Sequence, residues 1–66
     1  MSRDAAPVRV AIELTDDQAW AFAEFLKRST FDDYRGRAVS RDEAYTMIAA
    51  CEAIRKALAD IGYAPR

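Results

Sequence analysis

Apolar and polar residues alternate through "VRVAIEL". Val8, Val10, Ile12 and Leu14 fall on one side and Arg9, Ala11 and Glu13 on the other, the period-two pattern of a half-buried strand. From Asp16 the spacing changes to that of a helix. Ala19, Phe22, Ala23 and Leu26 share one face, with Trp20 and Phe25 on its shoulders. Thr15 precedes this run and Gln18 follows three residues later, the form of a capping box. A helix is predicted over 16–28. A second stripe, Ala44, Met47, Ile48, Cys51, Ile54, Leu58 and Ile61, recurs by threes and fours and predicts a helix over 41–61. Ser40 is its cap, Glu43 completes a second box, and Val39 is placed to staple over Ala44. Gly62 and Pro65 close it, with Tyr63 positioned to fold back on Leu58. Glu52 and Lys56 stand in the favourable order for an exposed pair.

Residues 1–7, ending at Pro7, read as a flexible lead, 8–14 as the strand and 29–39 as a joint, in which "STFDDYRG" has room for one helical turn. The predicted fold class is therefore α+β and mostly helical, one N-terminal strand followed by two main helices in a single small domain over 1–66. A lone strand leaves its backbone donors and acceptors unpaired, and the chain offers no second strand of similar quality. Two solutions exist: the strand pairs with its counterpart in a second copy, or it lies as an extended arm over the helices. Pairing is the expectation, with Val8, Val10, Ile12 and Leu14 as the dimer strand, because it also adds apolar surface to a core short of it.

Size sharpens that argument. A chain of 66 residues buries only about 60% of the surface its unfolded form exposes, and small folds commonly add disulfides, a metal or a partner chain. One cysteine and no histidine leave no internal disulfide and no recognisable metal-ligand spacing. Oligomerisation remains, and a homodimer is expected. With 52% hydrophobic and 32% charged residues the composition is that of a soluble globular chain. No apolar run approaches the roughly 20 residues of a membrane span. The start "MSRDAAP" lacks the apolar centre of a secretory signal. A cytoplasmic location without membrane association is expected.

The same residues argue against catalysis. Without histidine, an enzyme would need a carboxylate pair, an activated cysteine or a pocketed lysine. Asp16 with Asp17, Asp32 with Asp33 and Asp42 with Glu43 are adjacent in sequence, and neighbours on a helix do not face each other. They suit helix starts instead. Cys51 lies on the apolar stripe and reads as a small core residue. No catalytic residue, cofactor or metal is expected.

Charge is distributed unevenly within a net of −1. Residues 1–33 carry four basic and seven acidic side chains, and residues 34–66 six basic and four acidic. Lys27, Arg28, Arg35, Arg37 and Arg41 outnumber Asp32 and Asp33 around the joint. A basic region beside aromatics suits an acidic or phosphate-bearing partner. The candidate partner-binding residues are thus Arg35, Arg37 and Arg41 with Trp20 and Tyr34, since exposed Trp, Tyr and Arg are frequent binding anchors. In the structural alternative, Phe31, Tyr34 and Val39 pin the joint onto the helices, and Gly36 supplies a turn.

The stretches "VRVAIEL" and "GRAVSRDEAY" resemble the ribbon-helix-helix family of DNA-binding dimers. That resemblance implies paired strands in the major groove, with Arg9, Ala11 and Glu13 facing bases and Ser40 near phosphate. "LTDDQAWAFAEFLKR", "DEAYTMIAA" and "ALADIGYAPR" are similar to a group of short, uncharacterised proteobacterial proteins often found near mobile elements; this implies no activity. The expected function is a non-enzymatic cytoplasmic interaction protein that binds another protein as a homodimer. The alternative is a ribbon-helix-helix-like DNA-binding regulator or antitoxin, with nucleic acid as the partner.

Overall fold

The computed structural model describes residues 6–66. Among them the chain forms three helices, α1 over Asp16–Arg28, α2 over Phe31–Arg37 and α3 over Arg41–Asp60. Helices α1 and α2 both pack on α3. The flexible lead assigned to residues 1–7 lies mostly outside the described residues.

Each helix starts on a local hydrogen-bond device. The Thr15 hydroxyl accepts from the Gln18 amide at 3.0 Å, and the Gln18 side chain accepts from the Thr15 amide at 2.9 Å. This reciprocal box satisfies two donors that a helix start otherwise leaves open. At α2, one Asp33 carboxylate oxygen accepts from both the Thr30 amide, at 2.8 Å, and its hydroxyl, at 3.1 Å. These two Thr30 bonds, with Arg37 adding its positive charge, hold the Asp33 carboxyl below its ordinary pKa. At α3 the Ser40 hydroxyl accepts from the Glu43 amide at 3.1 Å. Glu43 does not close the expected box on Ser40 but reaches one residue further, accepting from the Val39 amide at 2.7 Å. Replacing Ser40 by alanine should cost about 1 kcal/mol, the usual value of such a cap. The shift of a urea unfolding midpoint would measure it.

The end of α3 is equally well defined. Gly62 has φ +106°, in the region that favours glycine. The Tyr63 amide donates to the Leu58 carbonyl at 2.8 Å and the Gly62 amide to Ala59 at 3.0 Å. That pair of bonds is the Schellman arrangement. It turns Tyr63 back onto the core, where it packs against the buried cluster of Ala19, Ala23, Leu26 and Leu58 with Phe22 and Cys51. Ala23 and Ala44 are wholly buried. Their small side chains let backbones approach closely.

The structure corrects the expected α+β class: no strand is present among the described residues, and the fold is three helices. Residues 8–14 form neither helix nor strand and are exposed. Alternation prepares a strand, but a strand exists only when another edge completes its hydrogen bonds, and the described residues provide none. The ribbon-helix-helix arrangement therefore lacks its ribbon, and an additional helix, α2, occupies the joint. Gly36 is not a turn residue but sits inside α2 without a positive φ. Val39 does not staple; it is 86% exposed. Lys56 pairs with Asp60 at 3.1 Å and not with Glu52, which approaches Arg55 at 3.7 Å.

Candidate functional site

Two open clefts of similar volume, about 830 and 840 Å³, flank the helices, so their linings distinguish them. The first lies between segment 8–14 and the groove of α1 and α3. Val8, Val10, Ile12 and Leu14 border it from one side, and Phe22, Ile54, Leu58, Ile61 and Tyr63 from the other, with small alanines between. Among the described residues no charged one lines it. Val10 and Ile12 remain 77% and 69% exposed. The alternation read as a dimer strand thus places four apolar side chains beside an apolar groove, with no strand built from them.

The second cleft lies where the end of α1, helix α2 and the middle of α3 meet. Phe25, Met47, Cys51 and Tyr34 supply its apolar and thiol surface, and Arg28, Arg37, Asp32 and Asp33 carry charges of both signs around it. Phe25 stacks on Phe22 with ring centroids 5.9 Å apart and stays exposed. Half-burial, and then the neighbouring Cys51, raise the Tyr34 phenol above its ordinary pKa.

The residues selected for partner binding do not form one patch. Arg37 and Tyr34 line the second cleft. Arg35 turns aside and donates to the Ala38 carbonyl at 3.3 Å, beyond the end of α2. Arg41 lies over the Phe31 ring, 5.8 Å from its centre, and Phe31 tilts against Tyr45 at 5.3 Å. Such a cation over an aromatic face contributes about 0.5–1 kcal/mol at an exposed site. Trp20 belongs elsewhere. It meets Tyr63 edge-on at 5.0 Å, and the Tyr63 hydroxyl donates to Asp16 at 2.7 Å.

Of the residues considered for nucleic acid, Arg9, Ala11 and Glu13 lie on the exposed segment 8–14. The Ser40 hydroxyl accepts the cap bond from Glu43. Sequence reasoning did not select Phe25 or Met47 for the second cleft, nor Ile54 and Ile61 for the first. Met47, Ile54 and Ile61 sit on the stripe of α3, whose spacing signalled burial, and Phe25 sits on a shoulder of α1; only the packing of α1 and α2 along α3 shows which of them stay outside. Among the described residues no group of three or more carboxylate, thiol or imidazole side chains could hold a metal ion. No helix among them is long and apolar enough to cross a membrane.

No curated protein and no solved structure matches the chain. A family model does match, over residues 1–66. With its whole length covered, the chain belongs to a family of unknown function, DUF7706.

Proposed function

We propose that this is a non-enzymatic cytoplasmic interaction protein that works by docking another protein chain on its open apolar surface. One observation carries the reading: among the described residues the buried hydrophobic ones are three alanines and two leucines, while Val8, Val10, Ile12, Phe25, Tyr45 and Ile61 are more than half exposed. Single exposed apolar residues are ordinary, but contiguous apolar clefts on so small a chain are typical of surfaces that meet a partner.

The second cleft has the anatomy of a heterologous contact. Its apolar centre at Phe25 and Met47 is bordered by Arg28, Arg37, Asp32 and Asp33, and interfaces combine a desolvated centre with a polar rim that fixes orientation. Phe25 is the anchor and Arg37 the orienting charge.

The test is capture by in-cell cross-linking, followed by calorimetric titration of the purified partner. Phe25→Ala combined with Arg37→Ala should weaken binding at least about tenfold with an unchanged circular-dichroism spectrum. Equal affinity of that variant removes the second cleft from the interface. A capture that returns no protein overturns the reading. Arg35→Ala with Arg37→Ala should change stability by less than about 1 kcal/mol, because exposed charge contacts contribute little. A urea unfolding curve checks this second expectation.

A further inference from the structure

We infer that the first cleft is occupied by a second copy of this chain, packed face to face about a two-fold axis through side chains of segment 8–14, α1 and α3. The inference rests on the interaction reading and names the occupant of one of its surfaces. The first support is area. A folded monomer of 7.4 kDa exposes about 4,200 Å² by size scaling, whereas this chain exposes 5566 Å². After deducting about 800 Å², the most that residues 1–5 contribute if fully exposed, an excess of roughly 570 Å² still remains. That excess is about 70% of one partner's share, some 800 Å², of a standard stable interface.

The second support is chemical. A two-fold contact sets a patch against its own copy, so a patch of one charge sign repels itself. Among the described residues the first cleft carries no charge on its lining, so that lining meets its copy without that penalty. The second cleft, with charges of both signs, demands a specific complementary arrangement. Segment 8–14 adds a matching edge: Arg9 and Glu13 are exposed and stand symmetrically about Ala11. A two-fold axis near Ala11 brings each Arg9 toward the Glu13 of the other copy, opposite charges at both ends of an apolar centre. Val10, Ile12 and Ile54 lie in that centre.

Sedimentation equilibrium of the full chain, from low to several hundred micromolar, tests this. The expected result is a reversible species of twice the 7.4 kDa chain mass. Ile12→Glu and Ile54→Glu, at positions 69% and 43% exposed, should each weaken association at least about tenfold while retaining the helical spectrum. Arg9→Glu and Glu13→Arg should each weaken it by a smaller factor, and the two together should restore it. A single-chain mass at all concentrations overturns the inference, as does undiminished association of both glutamate variants. An assembly larger than two chains excludes the closed two-fold contact, and failure of the combined charge reversal excludes the axis near Ala11. A monomeric result leaves partner capture at the second cleft intact, so the two readings fail separately.

Discussion

Leu26→Ala or Leu58→Ala should each remove a large part of the protein's stability. Both leucines are buried, 3% and 7% exposed, and they belong to the cluster that joins α1 to α3. Truncating a buried leucine costs about 2–5 kcal/mol, since transfer energy is lost and a cavity remains. A domain of this length commands roughly 3–10 kcal/mol in total, so either change removes a large fraction of it. The core is also intolerant in the opposite direction. Ala23 is wholly buried, and Ala23→Leu should cost about 1–3 kcal/mol by forcing the helices apart. Val39→Ala should stay within about 0.5 kcal/mol, because Val39 is in solvent. Urea denaturation followed at 222 nm separates these outcomes. A midpoint for Leu58→Ala equal to the unmodified protein's would show that α1 and α3 are not held by this cluster.

Tyr63→Ala should loosen the chain's end from α1 and move Trp20 emission to longer wavelength. Tyr63 reaches Trp20 edge-on and donates its hydroxyl to Asp16 across 47 positions of sequence, so one side chain ties the segment after α3 to the first turn of α1. Tyr63→Phe keeps the ring contact and loses only the hydrogen bond, and it should lower the thermal midpoint less than Tyr63→Ala does. The comparison also has a pH signature. The bond to Asp16, followed by desolvation and the carboxylate's charge, raises the Tyr63 phenol above its ordinary value of 10.0. A group whose folded pKa is raised is favoured in its protonated form by folding. Its stabilisation is therefore present below about pH 10 and is lost as pH rises through the higher folded value. The gap in thermal midpoint between the unmodified protein and Tyr63→Phe should close above pH 10. A gap that widens there would show that the hydroxyl does not donate to Asp16.

The helix boundaries that depend on residues three or four apart are legible before any packing is known. Thr15 with Gln18 and Ser40 with Glu43 display caps that the folded chain makes with its own backbone, and Gly62 followed by Tyr63 displays the termination of α3. Such bonds form within one turn of chain, so local sequence suffices to specify them. Even locally, competition can redirect a bond, as when Glu43 takes the Val39 amide in place of Ser40. Helix α2 was harder to read. Its Gly36 resembled a turn, yet the Thr30 bonds to Asp33 and packing on α3 carry the helix through it.

Long-range features were undetermined by pattern alone. The alternation of Val8 to Leu14 requires a second edge to become a strand, and the single chain supplies only an apolar groove beside it. The stripe of α3 marks seven apolar positions but not which neighbour covers each. Of these, Ala44 and Leu58 are buried, and Ile54 and Ile61 are left in solvent. Arg35, Arg37 and Arg41 cluster in sequence, but their side chains go separately to the Ala38 carbonyl, the second cleft and the Phe31 ring. Trp20, Tyr63 and Asp16 meet only because α1 and α3 pack together. Sequence by itself determined where the α1 and α3 caps form and how α3 stops, because hydrogen bonds within a turn decide those points. Tertiary structure alone decided which apolar residues are covered and which form open clefts, because burial depends on what another part of the chain brings against them.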